Sequence, residues 1–169
     1  VRDRRFVATQ RGGELSPTDH RLLMTWALTC TYHARTWTSL EFGPTLLQAL
    51  RTAQAWVDGN ATTGDAMKAS RAVHAEAKGM GDPIEKLLAR CVGQAVATAH
   101  MADHCLGPAW YAVKIVREVG GAVERERSWQ REQLSLLPPH LVSLITTAPK
   151  FTGNSGTPGP TNSPLSNNK

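Results

Sequence analysis

The sequence contains no run approaching the ~20 apolar residues of a membrane-spanning helix, so nothing in it reads as a transmembrane segment. Cysteine is scarce. Cys30, Cys91 and Cys105 are odd in number and widely spaced, which excludes a disulfide framework and points to a reducing compartment, the cytoplasm. No signal peptide is visible, although a chain that starts at Val1 leaves room for an upstream piece. β-Branched residues rarely cluster and no alternating pattern of any length occurs, so no sheet is expected. Phosphate-binding glycine loops, the GxSxG elbow and the dinucleotide fingerprint are all missing. The net charge of +5 is not concentrated. Arg2, Arg4, Arg5 and Arg11 share the first segment with Asp3 and Glu14, and Arg117 to Glu132 holds four Arg and four Glu. That second group reads as a salt-bridged helix face rather than a phosphate-binding strip, so nucleic acid is not an expected partner.

What is present is helix signal. Of 169 residues, 41% are hydrophobic and Ala is abundant. The length fits one domain with a core of its own. Ser16-Pro17-Thr18-Asp19, Thr62-Thr63-Gly64-Asp65 and Asp82-Pro83-Ile84-Glu85 each combine a capping side chain with an acidic residue three positions on. The first and third add Pro at the first helical position. Gly43-Pro44 and Leu137-Pro138-Pro139 start two further helices, and Gly59 and Gly79 end two. Around Cys91–Leu106, Leu88, Val92, Ala95, Ala99 and Leu106 form a buried stripe. Gly93 and Ala97 continue it as a small-residue sector, and only Lys86, Arg90, Gln94 and Thr98 suggest a wet side. The expected fold is therefore all-α. It is a single-domain bundle of six or seven helices around a central buried helix at about 83–106, with an extended N-terminal segment anchored by Phe6 and Val7. Gly107-Pro108 is expected to kink or divide the chain there. Residues 1–148 form the domain. Residues 149–169, rich in Pro, Gly, Ser, Asn and Thr, read as a disordered tail.

Four histidines carry the candidate chemistry. On a continuous helix His100 and His104, one turn apart, would project on one side as a two-histidine metal half-site, but no Glu lies between them as metalloprotease chemistry would need. His100, His74 and His20 are the catalytic candidates. His104, Cys30 and Trp26 join them as candidates for lining a ligand pocket between the first, third and central helices. No cofactor is expected, zinc at His100 and His104 being the one alternative. Buried, hydrogen-bonded imidazoles in a polar core network would give the same pattern with no chemistry at all.

Several runs taken together carry a resemblance. They are the opening Arg4-Arg-Phe-Val-Ala-Thr9, Leu15 to Leu23, Trp26-Ala27 with Cys30, Ala53-Gln-Ala-Trp56 and Ala72-Val-His-Ala75. Gly93-Gln-Ala-Val-Ala-Thr-Ala-His100, Glu126-Arg-Ser-Trp-Gln130 and Leu137-Pro-Pro-His-Leu141 follow in the same order. From Arg2 to Leu144 the chain resembles the Imm-5-like putative immunity proteins, small helical proteins found mainly in bacteria. The resemblance implies a cytoplasmic protein that neutralises a cognate toxin, here by occluding it, with no catalytic residues to carry over. The alternative is a small helical enzyme or ligand-binding protein with a His-lined pocket acting on a small molecule, for instance in secondary metabolism. A third reading is a homodimer joined through the small-residue faces.

Overall fold

The structure, a computed structural model, describes residues 3–152. The expected helix starts are where the chain places them. Helix α1 (Pro17–Thr36) begins on Ser16, whose Oγ accepts from the Asp19 N–H at 3.1 Å. Helix α2 (Pro44–Val57) follows Gly43. Helix α3 (Thr63–Gly79) opens with a full capping box between Thr62 and Asp65. Helix α4 (Pro83–Ala97) is capped by Asp82, which accepts from the Glu85 N–H at 2.8 Å. Then come α5 (Leu106–Glu118), α6 (Val123–Leu134), α7 (Pro139–Thr146) and the single turn α8 (Pro149–Thr152). No strand occurs among the described residues, and no helix among them is long and apolar enough to cross a membrane.

Helix α4 is central. It packs against α1, α2, α3 and α5, and no residue from Lys86 to His100 is fully exposed. Leu88, Val92, Ala95, Ala99 and Leu106 are all buried, as the stripe requires, and so is Thr98, expected on the wet side. The small-residue sector does admit a neighbour. A Cβ on Gly93 would lie 2.5 Å from His74 Cε1 and 2.8 Å from its Nε2, so the imidazole of α3 rests on the bare backbone of α4. Ser70 Oγ of α3 also donates to the Gly93 carbonyl at 3.0 Å.

The helix stops nine residues before the expected end at 106. Its periodicity continues into residues 98–105, but the backbone turns at Thr98–His100, extends at Met101 (φ −144°, ψ 102°) and re-enters as a 3₁₀ turn at Ala102–Cys105. Pro108, downstream, rules out one unbroken helix through this stretch. A proline in a helix interior removes a hydrogen bond and clashes with the carbonyl four residues back, costing about 3 kcal/mol. By ending α4 early and starting α5 at Leu106, the chain puts Pro108 in a first turn, where no intrahelical N–H is needed. Gly107-Pro108 is thus part of a helix start, and the break lies upstream of it.

The N-terminal segment is less extended than expected. Two 3₁₀ turns, Arg4–Phe6 and Thr9–Arg11, flank a short extended stretch at Val7-Ala8 that pairs with Leu15. This strap buries Phe6 and Leu15. Arg5 grips Asp3 with two parallel hydrogen bonds (3.0 and 2.6 Å) and donates to Thr147 Oγ1 at 2.8 Å. At the other end, residues 149–152, expected to belong to the tail, form the turn α8, whose Phe151 ring lies 6.4 Å from that of Trp26. The rest of that expectation, residues 153–169, lies outside the described residues.

Candidate functional site

Breaking α4 at Ala97 turns residues 99–103 towards the strap. Between them lies a small cavity of about 70 Å³. Its walls are Phe6, Val7, Ala8, Gln10 and Arg11 of the strap, His20 of α1, Trp56 and Thr63 at the facing ends of α2 and α3, and Ala99–Asp103. His20 Nε2 lies 2.6 Å from the Thr98 carbonyl, so it carries the proton and donates; Nδ1 is the remaining lone pair. The Trp56 ring meets the His20 ring edge-on at 4.9 Å, and its Nε1 donates to Thr63 Oγ1 at 3.2 Å. Arg11 donates to the His100 carbonyl at 3.1 Å and ties the strap to the segment after α4.

Of the sequence candidates, the cavity brings together His20 and His100. His104 stands beside it, 5.5 Å from the His100 ring at a 41° tilt, and its Nδ1 is 2.8 Å from Gln94 Oε1. The two rings therefore do not sit one turn apart on a helix, because no helix runs through them. His74 is elsewhere, against Gly93, with Nδ1 accepting from the Arg90 guanidinium at 3.1 Å. Cys30 is fully buried in the core, and burial, then the neighbouring Cys91, pushes its thiol well above the usual value. Burial drives Cys91 up to about 12. Neither is a nucleophile at neutral pH. Trp26 is buried towards Phe151. The cavity lies at the ends of α1, α2 and α3 beside residues 99–103 and the strap, and of the expected lining residues it takes His20 and His100. Zinc needs three or four converging ligands, and among the described residues no three of His, Cys, Asp or Glu come together in that way.

Two of these histidines make stability depend on pH. Burial holds His20 below the usual imidazole value of 6.5; the Arg11 charge adds to this and the hydrogen bond to Thr98 opposes it. Burial, then Arg90 and Lys78, holds His74 down as well. Both are neutral in the fold. As pH falls below 6.5 the unfolded chain takes up protons that the folded chain refuses. The stability these sites support is therefore complete above that value and is lost towards acid. Thermal unfolding between about pH 7 and pH 5 should show a falling midpoint, with a shallower fall in the His20→Gln/His74→Gln double variant. An unchanged slope in that variant would contradict the assignment.

Composition gave no sign of a second polar cluster. Glu126 of α6, read as part of a solvated charged face, is 0% exposed. Its Oε2 accepts from Trp37 Nε1 at 2.7 Å, and its Oε1 accepts from Gln130 Nε2 at 2.8 Å. His33 Nδ1 lies 2.8 Å from Oε2, close enough for charge attraction but not aligned as a hydrogen bond, and the His33 ring stacks on Trp129 at 3.5 Å and 7°. A signal existed in the sequence: Glu126, Gln130 and Leu134 recur every four residues, and all three are buried.

With this geometry in hand, comparison with known proteins adds one finding. A family model described as "Imm-5 like putative immunity protein" matches residues 13–136. The match takes in α1 to α6, the cavity's helical walls and the Glu126 cluster. The opening Arg4–Thr9 run and Leu137–Leu141 lie outside it. No curated protein and no solved structure matched the chain.

Proposed function

Because the chain belongs to the Imm-5-like family of immunity proteins, we propose that it neutralises a cognate toxin by occluding the toxin's active surface, not by altering it chemically. The family match carries this reading. The three buried cysteines form no disulfide, which suits action in the cytoplasm.

The test is co-expression with toxins encoded beside the gene. The expected outcome is restored growth together with a stoichiometric complex on size-exclusion chromatography. Failure to protect against any neighbouring toxin, or protection at far below one chain per toxin, would overturn occlusion.

One observation favours a second reading. His20 and His100 open onto the same cavity as Asp103 and Arg11, an arrangement that suits a small polar molecule held between an imidazole base and a guanidinium.

A further inference from the structure

The outer seam between α4 and α5 combines aromatic surface with unbalanced positive charge. The two helices run side by side in opposite directions. A Cβ on Gly107 would lie 2.6 Å from Gln94 Cβ, and the Cys91 thiol reaches the Pro108 carbonyl at 3.7 Å. By the same register Arg90 of α4 falls level with Tyr111 of α5, one turn further along. On this seam Trp110 is 39% exposed, large for an indole. Lys114 Nζ sits 3.7 Å from the centre of the Trp110 ring, and Tyr111 meets that ring edge-on at 4.9 Å.

Helices α4 and α5 together carry four cations, Lys86, Arg90, Lys114 and Arg117, against two carboxylates, Glu85 and Glu118, and Asp103 between the helices lines the strap cavity. None of the four cations forms an ion pair with a carboxylate among the described residues. Arg90 donates to the neutral His74 instead, and Lys114 lies on a ring.

We propose that Trp110, Tyr111, Lys114 and Arg90 form the docking face for a protein partner whose matching surface is rich in carboxylates around an apolar notch that takes the Trp110 indole. This rests on the immunity reading and names the surface that would act in it. Exposed tryptophan and arginine anchors ringed by polar groups are what binding hot spots are made of. Charge complementarity selects the partner. A second copy of the chain would bring Lys114 and Arg90 against their own kind across a two-fold axis, which repels. A single-stranded nucleic acid would need the aromatic face for base stacking, and Lys114 already covers one face of Trp110.

The test titrates the isotopically labelled full chain with three probes: a short peptide of alternating Glu and Leu, its Lys/Leu counterpart, and a single-stranded DNA oligonucleotide. The reporter is the indole N–H signal of Trp110, assigned by substitution. The acidic peptide should shift that signal and those of Tyr111, Lys114 and Arg90, and bind about tenfold or more weakly to Trp110→Ala and to Lys114→Glu. Equal binding of the Lys/Leu peptide, tighter binding of the oligonucleotide, shifts located elsewhere, or unchanged affinity in both variants would overturn the proposal. Co-expression separates this failure from that of the immunity reading. If the native chain protects and Lys114→Glu protects equally well, the seam is not the docking face and immunity stands. If the native chain gives no protection, immunity fails and the titration alone decides the seam.

Discussion

Glu126→Ala should lower the stability of the fold by about 3–5 kcal/mol, the cost of two donors left without acceptors at about 1–3 kcal/mol each plus that of a void. In a domain of this size that is a fall of roughly 6–20 °C in the unfolding midpoint. The carboxylate is the acceptor for the Trp37 indole N–H and the Gln130 amide, and it faces the half-buried His33. Truncation leaves those donors buried without acceptors and opens a void between α1 and α6. Gln130 keeps its second bond, to the Ala109 carbonyl at 3.0 Å, so part of the α5–α6 contact survives. Glu126→Gln should cost less, because one amide oxygen still accepts while the new NH₂ faces other donors. Thermal and denaturant unfolding of both variants measure this. A loss of under about 1 kcal/mol for Glu126→Ala would mean that water replaces the carboxylate in solution.

The second large effect is expected at Gly13, where no left-handed backbone demands glycine. A Cβ there would overlap the Val7 carbonyl, a backbone group that cannot swing aside as a side chain does. The pairing it would break includes Leu15 N–H to Val7 O at 3.0 Å and Thr9 N–H to Leu15 O at 2.9 Å. Gly13→Ala should therefore release the strap, expose Phe6 and cost about 2 kcal/mol or more. Trypsin cleavage at Arg5 and Arg11 should speed up in step. Gly12 is the internal control. It has the left-handed φ of 76° but open space around it, so Gly12→Ala carries backbone strain of about 1 kcal/mol and should leave the strap docked. If Gly12→Ala proves the more damaging of the two, the strap is not packed as described.

Much of the scaffold was legible because its signals are local. The pairs Ser16/Asp19, Thr62/Asp65 and Asp82/Glu85 announce helix starts within four residues, and the structure shows each as a hydrogen bond. The small-residue sector at Gly93 was legible for the same reason. The end of α4 was not, because the apolar period runs smoothly through Ala99 and Pro108 lies eleven residues beyond Ala97, the last residue of the helix. The cavity was half legible. His20 and His100 were singled out, but the walls that join them come from residues 6–11 and 99–103, and no local pattern relates segments so far apart. Glu126 was hidden by composition. In a helix as charged as α6 a buried carboxylate looks like its solvated neighbours, and only its register with Gln130 and Leu134 sets it apart.

The bond from Arg5 to Thr147 spans nearly the whole described chain. The path of the backbone is accordingly close to a loop, and its order could be rewritten by splicing the two ends through a short bridge and cutting elsewhere. Two exposed turns offer themselves. One, at Gly59-Asn60, joins α2 to α3 just beyond Trp56 and Thr63; the other, at Val119-Gly120, joins α5 to α6 just before the Glu126 cluster. A permutant opened at the first would leave the core intact and slacken the rim of the cavity. One opened at the second would spare the cavity and loosen the clasp between α6 and α1.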